Sequence, residues 1–176
     1  KLSIFVSSAQ AFHNFCQLLV SPILQLRGHF FGLRILPFSR CRVLGLLGRE
    51  LRAYYNAKLH NSLDTWSPTI NLNRDPRWGR NVERPGEDPF VCGEAGKAYT
   101  LGLQRGAAGS AEEASGVRQA TVTLKHWVAY SIEDYDGVTR HNVDVNVSAY
   151  DLTTSYWPAW KATIQEADAR GIMWCA

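Results

Sequence analysis

The feature that most constrains the fold is the regular alternation of predicted helices and strands from residue 48 onward. Three segments carry apolar residues at helical spacing, and three are short apolar runs typical of buried strands. In chain order they cover residues 48–60 (helix), 64–72 (strand), 89–106 (helix), 117–130 (strand), 148–167 (helix) and 170–176 (strand). Strands that alternate with helices form a parallel sheet covered by helices, so the sequence predicts an α/β fold.

Two charged segments, residues 74–89 and 125–140, lie at or just beyond the ends of predicted strands. The first reads RDPRWGRNVERPGEDP and holds four arginines, four acids, three prolines and two glycines. Proline and glycine at this density disfavour both helix and strand, so we predict a long loop. Because ligands of parallel α/β folds gather at the carboxyl ends of strands, both segments are expected to line one site.

Within the first segment, Arg80 is the residue that we expect to face the site. Gly79 permits a sharp backbone turn that points the guanidinium inward, and the planar fork of Arg80 suits a carboxylate or a pair of hydroxyls. The alternative is a network of ion pairs that pins the loop, since unpaired charges there are costly. We predict such a network for the other charged residues of the loop, which are Arg74, Asp75, Arg77, Arg84, Glu87 and Asp88.

The second segment begins with two adjacent hydrogen-bond donors, Lys125 and His126, at the end of the predicted strand. In a regular strand they would point to opposite faces, whereas at a strand terminus or bulge both can point into a cleft. Neighbouring donors of this kind suit the hydroxyls of a sugar. The alternative interpretation is an exposed lysine beside a half-buried histidine that is satisfied by the fold.

The acidic residues Glu133, Asp134 and Asp136 are interpreted as a solvated acidic face, because their spacing differs from that of a calcium loop. The four cysteines have neither a C-x-x-C pair nor the Cys/His spacing of a zinc site. Phosphate-binding, dinucleotide-binding and zinc-protease motifs are also absent from the sequence. We therefore expect no metal and no cofactor.

The net charge of +3 is unevenly distributed, because residues 1–49 contain six basic residues and no acid. These basic residues are scattered singly among apolar ones, unlike the clustered charges of a phosphate-binding surface, so a nucleic-acid adaptor is a minor hypothesis. No run of 18 apolar residues is present, and no membrane span is expected. The sequon Asn146-Val147-Ser148 favours secretion of the parent protein, although no clear signal peptide is visible.

Several of these segments together resemble one known family. They are SPTINLNRDPRWGRNVERPGEDPF, then GLQ, KHWVAY, Arg140 and YDLTTSYWPAWKATIQEA followed by Ile172-Met173. This pattern resembles the N-terminal domain of glycoside hydrolase family 3, and its W-S-P and P-G-E-D-P variants are similar to the β-xylosidase branch. The resemblance covers about residues 48–173, so we divide the chain into an atypical segment, 1–47, and a partial family 3 barrel domain, 48–176.

The resemblance implies a partial TIM-like (β/α)8 barrel with about half of the barrel present. It also implies a retaining β-glycosidase that removes terminal, non-reducing β-linked xylose or glucose from an oligosaccharide or β-glycoside. By the same resemblance, the residues that would bind the sugar are Arg80, Lys125, His126 and Arg140, with Met173 near them and Glu83 orienting the donors. The family uses the histidine as a hydrogen-bond donor to hydroxyls, so His126 is not expected to be a general base.

The family's aspartate nucleophile and its acid/base have no match in this sequence. The resemblance therefore implies that the chain by itself is inactive, and a partial barrel implies exposed apolar faces and poor solubility. A non-catalytic sugar-binding remnant of such an enzyme is the alternative function.

Overall fold

The computed structural model describes residues 36–174, with side chains from residue 42 onward. Residues 1–35 and 175–176 lie outside the described residues, and with them most of the scattered basic segment. The elements follow in the order α1 (Leu36–Asn56), β1 (Asp64–Thr65), a 3₁₀ turn (Asn81–Glu83), α2 (Pro89–Arg105), α3 (Ala111–Ala114), β2 (Thr121–Trp127), β3 (Asp134–Tyr135), β4 (Val138–Thr139), α4 (Ala149–Asp151), a π-helical turn (Leu152–Tyr156), α5 (Trp157–Ala167) and β5 (Gly171–Trp174).

Three of the strands form a parallel sheet in the order β1-β2-β5, which confirms the predicted α/β class. Asp64 lies opposite Thr121, and Thr123 lies opposite Gly171. Each pair of neighbouring strands is connected through a helix, α2 between β1 and β2 and α5 between β2 and β5, as parallel pairing requires. Strands β3 and β4 form a separate antiparallel hairpin in the loop that follows β2.

Helix α2 is the centre of the helical layer, because it packs against both α1 and α5. Asp88 caps its first turn by accepting from the amides of Phe90 and Val91, and Pro89 occupies the first helical position. The core between helices and sheet is apolar, with Leu44, Leu51, Ile70, Tyr99, Leu103, Val122, Leu124 and Trp160 among its buried members.

A buried glutamine fixes the amino end of the sheet to α2. The Gln104 side chain accepts from the Val122 amide at 3.0 Å and donates to the Asp168 carbonyl at 3.0 Å. One side chain thus provides hydrogen-bond partners for backbone groups at two places, the start of β2 and the turn between α5 and β5. This contact fixes the amino ends of both strands, so their carboxyl ends lie at the opposite end of the sheet.

The structure extends the predicted first helix and shortens the predicted first strand. Helix α1 begins at Leu36 rather than residue 48, so it crosses the predicted boundary between residues 47 and 48. Pro37 lies in the first turn of this helix, where proline is tolerated. Regular pairing in β1 covers Asp64 and Thr65 only, and the segment rejoins the sheet through a bridge between Thr69 and Lys125. No helix within residues 36–174 is long and apolar enough to cross a membrane.

Two glycines of α1 allow its close approach to the rest of the domain. A Cβ at Gly48 would overlap the backbone oxygen of Leu103, and a Cβ at Gly45 would lie 2.7 Å from the amide nitrogen of Ala107. By contrast, a Cβ at Gly79 would meet nothing within 4 Å, and Gly79 has no positive φ. The backbone does turn at Gly79, as expected, but the turn does not require the conformational freedom of glycine.

Gly48→Ala is expected to lower the free energy of unfolding by about 2 kcal/mol. Overpacking against backbone costs up to about 3 kcal/mol, and alanine recovers about 1 kcal/mol through helix propensity. Gly79→Ala is the control and should change stability by less than about 0.5 kcal/mol. Urea unfolding followed by circular dichroism measures both, and equal stability of the two variants would refute the close-packing argument.

Candidate functional site

The carboxyl end of β2 carries both adjacent donors into the protein. Lys125 and His126 are 4% and 3% exposed, so the interpretation of an exposed lysine is wrong. Regular alternation stops here, since Leu124, Lys125 and His126 are all buried and the register with β5 shifts between Leu124 and Trp127. The peptide bond between Lys125 and His126 is cis. The predicted strand terminus that turns both side chains inward is thus present.

The side chain of Asn71 holds this irregular strand end in place. Its amide donates to the His126 carbonyl at 2.7 Å and accepts from the His126 amide at 2.6 Å. The Ile70 amide donates to the Lys125 carbonyl at 3.0 Å. Buried backbone groups that leave a strand ladder need other partners, and Asn71 supplies them for His126.

Arg80 and Glu83 form a two-pronged ion pair beside this strand end. The guanidinium Nε and Nη2 donate to the two carboxylate oxygens, each at 2.7 Å. Both side chains are at least three-quarters buried. The expected contact between Arg80 and Glu83 is therefore present, in the planar geometry that arginine favours.

The ionisation of Glu83 connects the two charged segments. Burial raises the pKa of the Glu83 carboxyl, but the pairing with Arg80 and the nearby positive charge of Lys125 outweigh it, and the pKa is lowered. Burial lowers the pKa of Arg80, and Glu83 and Tyr130 outweigh it in turn, so that pKa is raised. Both groups are charged at neutral pH, and Lys125 lies near enough to Glu83 to act on it.

Arg140, in the loop that follows β2, lies close to Arg80. Arg140 Nη1 lies 3.5 Å from Glu133 Oε2, and Arg80 Nη1 lies 3.8 Å from Glu133 Oε1. The Tyr130 hydroxyl donates to Glu133 and lies 3.5 Å from a nitrogen of each arginine. Glu133 is thus not part of a solvated acidic face, although Asp134 and Asp136 are exposed as predicted.

Trp78 joins the two loops beneath these arginines. Its indole N–H donates to Glu133 at 3.2 Å, and its ring meets the Tyr130 ring edge-on with centroids 4.7 Å apart. The guanidinium of Arg84 lies 3.6 Å from the centre of the Trp78 ring. Both Trp78 and Arg84 are almost fully buried, so the stack is part of the core beneath the site.

Arg84 is the clearest departure from the predicted ion-pair network. It is 2% exposed and donates to two neutral oxygens, Oδ1 of Asn73 at 2.7 Å and Oδ1 of Asn81 at 2.5 Å. Burial lowers the pKa of Arg84 to about 10. No ion pair with an acid is found for it within the described residues. Amide oxygens and an indole face therefore hold this cation.

The other charged residues of the first loop make different kinds of contact. Asp75 pairs with Arg77 at 2.7 Å, as predicted. Arg74 instead lies over the ring of Tyr156, and Asp88 caps α2. Glu87 is exposed. The network predicted for the whole loop is therefore limited to the Asp75–Arg77 pair, because aromatic faces and helix amides take the other charges.

His126 is neutral across the physiological range. Burial, together with the positive charges of Arg80 and Lys125, lowers the pKa of His126 to about 3. Its Nδ1 is buried and has no hydrogen-bond partner among the described residues. The ring meets Tyr130 edge-on with centroids 4.9 Å apart. A neutral imidazole offers one donor and one acceptor, which suits a ligand hydroxyl.

Met173 lies on β5 beside the irregular end of β2. Ile172 pairs with Leu124 and Trp174 pairs with Trp127, so Met173 faces the stretch that contains Lys125 and His126. It is half-buried. The structure thus brings the predicted residues Arg80, Glu83, Lys125, His126, Arg140 and Met173 to one end of the sheet.

Sequence reasoning missed four residues that shape this end of the sheet, namely Asn71, Trp78, Tyr130 and Glu133. Tyr130 lies four residues after His126 and Glu133 lies seven residues after it, in a segment already predicted to line the site. This position in the sequence is the signal that could have identified both residues. Among the described residues, no group of three His, Cys, Asp or Glu could hold a metal ion. The arrangement offers cationic donors and carboxylate acceptors, which suit a polyhydroxylated ligand.

A parallel α/β domain with a cluster of polar and charged side chains at its strand ends is the class that fold and site define. The model of the glycosyl hydrolase family 3 N-terminal domain matches residues 57–175. The chain belongs to glycoside hydrolase family 3.

Similar curated proteins are β-xylosidases of plants and fungi. The chain is 42% identical over 135 residues to "Probable beta-D-xylosidase 7" of Arabidopsis thaliana, covering 77% of this chain and 18% of that protein. It is 41% identical over 132 residues to a probable exo-1,4-β-xylosidase of Aspergillus clavatus, covering 75% and 16%. The chain thus spans less than a fifth of the length of these relatives.

Solved structures of the family share the fold. A family 3 exo-β-xylosidase in complex with a xylobiose aziridine probe superposes with a TM-score of 0.69 at 29% identity, covering 77% of this chain and 17% of that one. A mutant β-glucosidase of Listeria innocua in complex with laminaribiose gives a TM-score of 0.55 at 31% identity, covering 79% and 19%.

The depressed pKa of His126 predicts a pH-dependent stability that a glutamine would remove. The unfolded histidine titrates near 6.5 and the folded one near 3, so the unfolded state binds the extra proton between these values. The contribution is fully present above pH 6.5 and declines as pH falls toward 3, by about 1.4 kcal/mol per pH unit.

Urea unfolding of the native chain and of His126→Gln between pH 4.5 and 8 checks this prediction. The native curve should fall more steeply below pH 6.5, and the two should run parallel above pH 7. Parallel curves over the whole range would mean that His126 is not buried as a neutral group.

Proposed function

We propose that the chain is the sugar-binding portion of a retaining β-glycosidase and forms part of a TIM-like (β/α)8 barrel, of which the described residues contain three parallel strands, fewer than the expected half. Its three parallel strands with connecting helices support the barrel, as does the likeness to family 3 structures. The parent enzyme would release terminal, non-reducing β-linked xylose or glucose, with inversion occurring twice through a covalent intermediate.

The observation that carries this proposal is the convergence of Arg80, Lys125 and His126 at one end of the sheet. Lys125 and His126 are buried at the end of β2. The Tyr130 ring contacts both His126 and Arg80, and Thr69, which pairs with Lys125, donates to the Glu83 carboxylate that holds Arg80. Buried donors fixed by other protein groups lose little entropy when a ligand binds, so they suit neighbouring hydroxyls of a pyranose ring. Arg140 would contact the sugar from the exposed rim, and Met173 would lie beside it.

The relatives favour xylose as the first sugar to test. The two plant and fungal relatives compared above are named as xylosidases, and one solved relative is in complex with a xylobiose-derived probe. Glucose is the second candidate, because solved β-glucosidases of Listeria innocua hold laminaribiose or glucose. Secretion of the parent protein is part of the proposal and rests on the sequon at Asn146.

A non-catalytic sugar-binding function is the alternative, because the residues proposed to bind the sugar are found in the sequence, while the family's nucleophile and acid/base match no position in it. The neutral His126 would donate a hydrogen bond in either case and would not act as a base. The partner would be an oligosaccharide or β-glycoside, with neither nucleic acid nor membrane involved.

Isothermal titration calorimetry with xylose and with glucose tests whether the chain binds these sugars. We expect millimolar binding that weakens about tenfold or more in Lys125→Ala, since a hydrogen bond to a charged group contributes about 1.5–3 kcal/mol. His126→Ala should weaken it about threefold to tenfold, since a hydrogen bond from a neutral group contributes about 0.5–1.5 kcal/mol. Lys97→Ala is the matched control, because Lys97 pairs with Glu94 and Glu166 on the surface. Absence of binding to either sugar would overturn the proposed function.

The same preparation is expected to show no turnover of an aryl β-xyloside or aryl β-glucoside. Release of the chromophore at a rate that scales with protein concentration and disappears in Lys125→Ala would contradict this expectation and show that the chain supplies its own catalytic carboxylates.

A further inference from the structure

We propose that Glu133 is the positioning residue that holds Arg140 beside Arg80 at the rim of the site. The inference rests on the proposed function, because it assigns a role to a residue of the same sugar-binding site. It concerns a group that need not touch the ligand and acts through the two arginines.

Two guanidinium groups at the same place repel each other unless an anion lies between them. The carboxylate of Glu133 fills that position, with one oxygen 3.8 Å from Arg80 and the other 3.5 Å from Arg140. The arginines are not equally dependent on it. Arg80 also has its two-pronged pair with Glu83, whereas Glu133 is the only acid within 4 Å of Arg140 among the described side chains.

Glu133 is itself fixed by two neutral donors from the buried side of the site. The Tyr130 hydroxyl and the Trp78 indole N–H both donate to its Oε1. Trp78 is anchored in turn by the buried Arg84. The carboxylate therefore has a defined position before any ligand arrives, and that position is transmitted to Arg140. The Arg140 side chain is about half exposed, and its other contacts are with two neutral groups, the Tyr130 hydroxyl at 3.5 Å and the His141 ring at 3.2 Å.

Glu133→Gln tests this role, because glutamine keeps the shape and an acceptor for Tyr130 and Trp78 while removing the charge. The readout is the rate at which phenylglyoxal modifies each arginine, located by peptide mass spectrometry. Residues 136–150, released by cleavage after Tyr135 and Tyr150, contain Arg140 as their only arginine. We expect at least a threefold faster modification of Arg140, a smaller change at Arg80, and no modification of buried Arg84.

The matched control is Glu112→Gln, which removes the same charge from a surface pair in which Glu112 lies 2.7 Å from Arg49. It should accelerate modification of Arg49 and leave Arg140 unchanged. Xylose affinity, measured in parallel, should fall about fivefold in Glu133→Gln and stay unchanged in Glu112→Gln. If Glu133→Gln fails to fold, Glu133→Asp retains the charge but withdraws it by one methylene, and an intermediate acceleration at Arg140 is expected.

An unchanged rate at Arg140 would overturn the proposal, whatever the sugar result. Modification of Arg84 in Glu133→Gln would also overturn it, since Glu133 would then support the core and not one arginine. If Arg140 alone is accelerated while the native chain binds neither sugar, the positioning role is supported and the proposed function fails.

Discussion

The site depends on one side-chain amide that takes over the hydrogen bonding of a strand at the point where the strand stops being regular. Asn71 pairs with both backbone groups of His126, so the end of β2 stays buried although its register with β5 shifts. Without those two bonds, a buried amide and carbonyl would lack partners, which is costly in a core. This contact therefore holds the two donors of β2, Lys125 and His126, at the site.

Three charged contacts surround Asn71, and each stabilises its charges in a different way. Near the sheet, Arg80 and Glu83 neutralise each other as a closely matched pair. Beneath them, Arg84 is held by amide oxygens and the face of Trp78. At the rim, Glu133 lies between two arginines. The site thus combines a rigid buried base with a more exposed edge, an arrangement suited to a ligand that enters from one side.

The helices and strands could be predicted from residue 48 onward because their apolar periodicity is strong, and the location of the site followed from the rule for parallel sheets. Local sequence patterns did not predict the features that depend on contacts between residues far apart in the sequence. Residues 36–47 look irregular alone, yet Leu44 and Leu47 are buried and complete a helix. Nothing near Glu133 in sequence reveals Arg80, which is 53 residues away. Asn71 looks like an ordinary loop residue until the end of β2 lies against it.

The burial of Arg84 has a consequence for the response of this loop to ionic strength. Mobile ions screen exposed charges over about 8–10 Å but do not weaken contacts between a guanidinium, neutral amide oxygens and an indole ring inside the protein. The base of the loop is therefore insensitive to salt, while the half-exposed contact between Arg140 and Glu133 is not. At high salt, the half-exposed contact between Arg140 and Glu133 would weaken first, whereas the buried contacts of Arg84 would stay intact.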